Sequence, residues 1–113
     1  MQLLVAVINH EERVDEILSG FVELGITGAT IVESRGMGRV LSREVPIFAG
    51  LRELDRRSRA NNRMIFCVAD DAKIDEAIVM IQEVCGGLDE PGVGILFTVP
   101  VGRVVGLSPE LGP

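Results

Sequence analysis

The sequence predicts an α+β sandwich: an antiparallel four-stranded sheet with two helices on one face, in the order βαββαβ. Three observations predict it. A strand–helix–strand unit occurs twice, sixty positions apart. An arginine-rich insert separates the two copies, and the strands are apolar on both faces. At 113 residues the chain reads as a single domain, residues 1–113. A domain of that size buries about 65% of its unfolded surface, enough for a core without disulfides or metal.

The repeat is visible residue by residue. Leu4-Val5-Ala6-Val7-Ile8 answers Met64-Ile65-Phe66-Cys67-Val68, and Val14-Asp15-Glu16-Ile17-Leu18 answers Ile74-Asp75-Glu76-Ala77-Ile78. Phe21 answers Ile81, and Leu24 answers Val84.

The elements follow in order. Residues 3–8 are an unbroken apolar run, a strand. Asn9 is the expected N-cap of the first helix, with Glu12 completing a capping box. Val14, Ile17, Leu18, Phe21 and Leu24 recur at helical spacing, and Gly25 stops the helix. Residues 28–34 form the second strand. Met64 to Val68 form the third. The second helix carries Ile74, Ala77, Ile78, Ile81 and Val84 on one side and stops at Gly86-Gly87. Residues 94–101 form the last strand. The simplest closure of two such units is the ferredoxin-like sandwich.

Alternation along the strands has a further consequence. Leu3, Val5 and Val7 face one way and Leu4, Ala6 and Ile8 the other. The last strand repeats this, with Ile95, Phe97, Val99 and Val101 opposite Leu96 and Thr98. Two helices cover one face only. The other would expose more apolar area than soluble monomers tolerate, so other copies of the chain are expected to cover it.

Charge is uneven. Eight of the eleven cations lie in residues 35–63 against three acids, a net of +5, which leaves −11 on the remainder. This is a basic arm on an acidic body. The overall −6 and the four aromatic residues argue against a general nucleic-acid binder. Cys67 and Cys85 read as buried hydrophobes in a reducing compartment. No charged leader or membrane-length apolar run is present, so a cytoplasmic location is expected. Residues 36–62 are too long for a plain connection in a compact domain. Arg43, Val45, Ile47 and Phe48 mix charge with apolar surface there, which favours an arm that docks on a partner or folds over a ligand over a solvated loop whose arginines only aid solubility.

Three motifs in series carry a family resemblance: Gly25-Ile26-Thr27-Gly28-Ala29-Thr30, then Arg35-Gly36-Met37-Gly38-Arg39, then Gly92-Val93-Gly94-Ile95-Leu96-Phe97-Thr98-Val99-Pro100-Val101. In that order they resemble the PII family of signal-transduction proteins, over nearly the whole chain. The resemblance implies a homotrimer that binds adenine nucleotides in clefts between subunits and engages a transporter or enzyme through its long loop. It places the nucleotide on Thr30, Gly36, Met37, Gly38, Arg39, Gly92, Val93 and Gly94. The chemistry fits: glycines admit a ligand close to backbone N–H donors, and Arg39 offers charge to a phosphate.

The departures narrow the ligand. PII proteins place a phosphate-directed lysine where Ile95 stands, and two arginines near the C-terminus where Gly106 and Ser108 stand. Arg103 is the remaining cation there. Charge-assisted bonds contribute about 1.5–3 kcal/mol each, so AMP or ADP, or a ligand other than a nucleotide, is expected over ATP. The chain has no tyrosine, and Phe48 stands near the loop tyrosine that some members modify. Uridylylation at that place is excluded for want of a phenol oxygen.

Two other classes are weighed against this reading. His10 with Glu11 and Glu12 is the candidate ligand cluster for a trimeric metal- or small-anion-binding protein on the same fold, with Asp89-Glu90 a weaker one. Strand-end caps and solvated acids are the commoner explanation of both. For an enzyme, no nucleophile has a base partner, so no catalytic residue is assigned.

Overall fold

The computed structural model describes residues 1–37, 62–88 and 93–107. Its elements are β1 (Gln2–Ile8), α1 (Glu11–Glu23), β2 (Ala29–Ser34), β3 (Asn62–Ala69), α2 (Asp71–Cys85) and β4 (Gly94–Pro100). The sheet order is β2-β3-β1-β4, antiparallel throughout. This is the ferredoxin-like βαββαβ sandwich predicted by the repeat.

Register sorts the strand residues into two faces. Leu4 lies opposite Cys67 and Thr98, and Ala6 opposite Ile65 and Leu96. This side packs under the helices. Leu4, Ala6, Ile8 and Ile65 are fully buried there against Ile17 and Phe21 of α1 and Ile74, Ala77 and Ile81 of α2. The predicted stripes hold, with Leu18, Leu24, Ile78 and Val84 half-buried at their margins. Removing a large aliphatic or aromatic side chain from water contributes about 1.5–3 kcal/mol, which makes this layer the main stabilising contact.

The helix ends follow local chemistry. At the end of α1, Gly25 takes φ 85. Its N–H reaches the Val22 carbonyl at 3.0 Å and Ile26 N–H reaches the Phe21 carbonyl at 2.8 Å, a Schellman closure that buries Ile26. The Lys73 ammonium donates to the Leu24 carbonyl, placing positive charge at the negative end of α1. Asp70 caps α2 by accepting from the Lys73 N–H at 2.9 Å, and Gly86 ends it at φ 69.

Two local expectations are corrected. Asn9 does not cap α1. The first carbonyl to accept helical bonds is that of His10, from Arg13 and Val14, so the helix begins one residue later. Asn9 is instead buried in the turn from β1. Asn62 and Arg63 do not belong to the long insert either. They open β3, paired with Ser34 and Glu33. The strand boundaries otherwise differ by one residue: β2 begins at Ala29 and β4 ends at Pro100.

Cys67, on the helix side, is 2% exposed, and burial pushes its thiol up to about 11. The Cys85 thiol is also raised, chiefly by burial, with Arg13 opposing. The sign for stability follows from linkage. Below the ordinary thiol pKa of 9.0 both folded and unfolded chains hold the Cys67 proton, and the shift has no effect. Between pH 9 and about 11 the unfolded chain releases it first, so stability falls as pH rises through that window. Chemical denaturation from pH 8 to pH 11 should therefore show an alkaline loss of up to about 2–3 kcal/mol that Cys67→Ala lacks. Parallel losses in both proteins would place the alkaline sensitivity elsewhere.

Candidate functional site at the open face and sheet end

The face away from the helices is apolar across its width. One row comprises Leu3, Val68 and Val99; a second, Thr30, Phe66, Val5 and Phe97; a third, Val32, Met64, Val7 and Ile95. Val32, Ile95, Phe97 and Val99 are each 43–57% exposed. This is the two-sided strand pattern read from the sequence. Four exposed large apolar side chains on one flat sheet form the kind of patch that marks an interaction surface.

The third row is followed by a polar pair. Ser34 lies opposite Asn62, one step nearer the end of the sheet. Asn62 is 5% exposed, and Ser34 Oγ and Asn62 Oδ1 are buried without hydrogen-bond partners among the described residues. An unpaired buried polar atom costs about 1–3 kcal/mol. On the helix side of the same sheet end, Arg63 bridges two carboxylates, Glu33 at 3.3 Å and Glu11 at 3.5 Å. Its side chain is largely buried, and it ties β2, β3 and the first turn of α1 together. These residues escaped the sequence reading. Alternation counted back from Cys67 through Ile65 places Arg63 on the buried side, a signal that composition obscured.

The glycine motifs arrive at this same end. Gly36 and the exposed Met37 follow Ser34 at the end of β2. Val93 precedes β4, and Gly94 opens it, paired with Ile8. Gly94 takes φ 156, and a Cβ on it would lie 2.5 Å from the Val7 carbonyl oxygen, so only glycine lets the backbones approach this closely. β2 and β4 are opposite edges of the sheet, however, roughly 14 Å apart at three strand spacings. A ligand touching both motifs needs either the chain beyond Met37 to cross the sheet end or a second copy to present its own edge. Thr30 is not at this end. It sits four residues up β2, roughly 13 Å from Ser34, exposed on the open face. Gly38, Arg39 and Gly92, and the loop positions Arg43, Val45, Ile47 and Phe48, lie outside the described residues, as do Asp89, Glu90 and Ser108.

The cation-poor character of the β4 side is clear where described. Ile95 is 57% exposed and faces the open side beside Val7. Gly106 takes φ 84, and a side chain there would meet open space. Arg103 is exposed. Of the candidate metal ligands, Glu11 is engaged by Arg63, and His10 occupies the cap position of α1 without a side-chain capping bond. Among the described residues, no helix is long and apolar enough to cross a membrane.

The family model for the nitrogen regulatory protein P-II matches residues 1–110 of the chain. No curated protein sequence matches it significantly.

Proposed function

The chain belongs to the P-II nitrogen regulatory protein family, and from that premise we propose that it is a trimeric, cytoplasmic regulator that binds a small effector between its subunits. The effector is an adenine nucleotide with few phosphates, AMP or ADP. Residues 36–61 carry the signal to a transporter or enzyme, with Arg43, Val45, Ile47 and Phe48 as the contact positions. The protein has no catalytic role in this reading and no nucleic-acid partner.

One observation carries the proposal: the apolar open face ends in Ser34 and Asn62, whose buried side-chain oxygens have no hydrogen-bond partner among the described residues, at the sheet end where Gly36 and Gly94 arrive. Copies of the chain covering that face would remove its apolar rows from water. They would also bring the β2 edge of one subunit toward the β4 edge of the next. Backbone N–H groups around Gly36, Gly38, Gly92 and Gly94 would then meet a phosphate, with Arg39 supplying charge and Thr30 bonding base or ribose. Met37 and Val93 would pack against the ligand. Ile95, Gly106 and Ser108 remove three cations from such a site, which disfavours a triphosphate.

Calorimetric titration of the oligomer with ATP, ADP, AMP, cyclic AMP and bicarbonate, with and without magnesium, tests this. The expected result is micromolar binding of AMP or ADP, tighter than ATP. Arg39→Ala should weaken it about tenfold to a hundredfold, the loss of one charge-assisted bond. Binding of none of the five would remove the nucleotide reading. Altered metal content in the purified protein would support the metal-binding alternative.

A further inference from the structure

The helical layer carries its own surface. α1 and α2 together hold nine carboxylates against Arg13 and Lys73. Between the helices runs an open groove with a floor of Gly20, Met80 and Val84 and a rim of Asp15, Glu16 and Glu23. Gly20 makes the floor possible, since a Cβ there would lie 2.5 Å from Met80 Sδ. The groove is on the opposite side of the sheet from the open face, so the assembly proposed above does not cover it.

We propose that this groove docks the arginine-rich stretch of the same chain, residues 52–59. The chain itself supplies the complementary charge: Arg52, Arg56, Arg57 and Arg59 fall in that stretch. The route is short. Arg63 contacts Glu11, so the chain re-enters the sheet beside the first turn of α1. Arg59 is four residues before Arg63, a reach of up to roughly 13 Å. Asp15 is four residues after Glu11, roughly 6 Å further along the helix, and Glu23 roughly 18 Å. The eleven residues from Arg52 to Arg63 span that length easily. Arg63–Glu11 would thus be the first of a series of pairs that continues backward along the arginines and forward along α1. In the docked state the arginine stems would lie on Met80 and Val84 and their guanidinium groups would meet the rim. Tethering within one chain raises the local concentration to the millimolar range, which favours the chain's own stretch over a separate partner. The docking requires no effector, so it stands or falls separately from the nucleotide reading.

Trypsin tests it directly, because the docked residues are its cleavage sites. Full-length protein without effector is cleaved at low and at high salt, and rates at Arg52, Arg56, Arg57 and Arg59 are followed by mass spectrometry. Arg39 and Arg43 serve as internal references. The expected result is slow cleavage at the four sites. It should accelerate about fivefold or more in the Asp15→Asn, Glu16→Gln, Glu23→Gln protein and at high salt, with an unchanged melting temperature. Swapping charges, Glu16→Arg with Arg56→Glu, should restore protection that Arg56→Glu alone loses. Equal rates in wild-type and neutralised proteins would overturn the proposal. Protection that disappears on dilution would assign the groove to another copy's arm and overturn the same-chain assignment.

Discussion

Replacing Phe97 by lysine is expected to convert the proposed assembly into single folded chains. Phe97 stands on edge strand β4 in the row with Val5, Phe66 and Thr30, 45% exposed and directed away from the helices. Nothing in the core under α1 and α2 rests on it. In an isolated chain a lysine there reaches water and costs little. Buried against a second copy, its ammonium is an unpaired charge, which costs about 3–5 kcal/mol at each interface. Sedimentation should show the loss of the larger species, while the helical circular dichroism stays that of the wild type. Retention of the assembly by Phe97→Lys would mean that some other surface joins the copies.

Gly94→Ala should have the second large effect, this time on the fold itself. The new Cβ would meet the Val7 carbonyl oxygen at 2.5 Å and Ile8 Cδ1 at 3.3 Å. The first of these is backbone in the paired strand and does not move aside as a flexible side chain does. With φ at 156 the position is also poorly tolerated by an L side chain. Strain and displacement together should cost about 2–4 kcal/mol and detach the start of β4 from β1. The melting temperature should fall by roughly 10 °C, and effector affinity should fall with it. Gly86→Ala is the control. Its side chain would meet open space, so the cost there is the left-handed φ alone, about 1 kcal/mol. Equal melting of the two variants would show that the close approach at Gly94 has no energetic weight.

The fold was legible because the chain states it twice. Leu4–Ile8 and Met64–Val68 fall in neighbouring antiparallel strands, and the two helical stripes pack as one layer beneath them. Gly25 and Gly86 marked helix ends because left-handed closure is their usual task. The Asn9 cap was misplaced because a good capping residue adjoined the true start. The competing demand, burial of Asn9 in the turn, has no local signature. Arg63 was hidden by composition, since a cation at the edge of an arginine-rich run looks like part of it. Only the alternation of Arg63, Ile65 and Cys67 shows that it belongs to the sheet.

The site was legible in kind but not in distance. Glycine pairs and a following arginine can be named from spacing. That Gly36 and Gly94 sit on opposite edges of the sheet, and Thr30 well up the open face, follows only from strand order. Ser34 reads as a strand end and Asn62 as a loop residue until pairing sets them side by side, with buried side-chain oxygens that have no hydrogen-bond partner among the described residues. A single chain of this sequence therefore presents parts of a site, and the proposed assembly is what would join them.

The most direct measurement is calorimetric titration of AMP and ADP into wild-type protein and into the dissociated Phe97→Lys protein under the same conditions. A site between subunits predicts micromolar binding to the assembly and none measurable to the single chains, although residue 97 itself need not touch the ligand. Equal affinity in both would place the effector within one chain and contradict the account. No binding to either would leave the open face as an assembly surface alone.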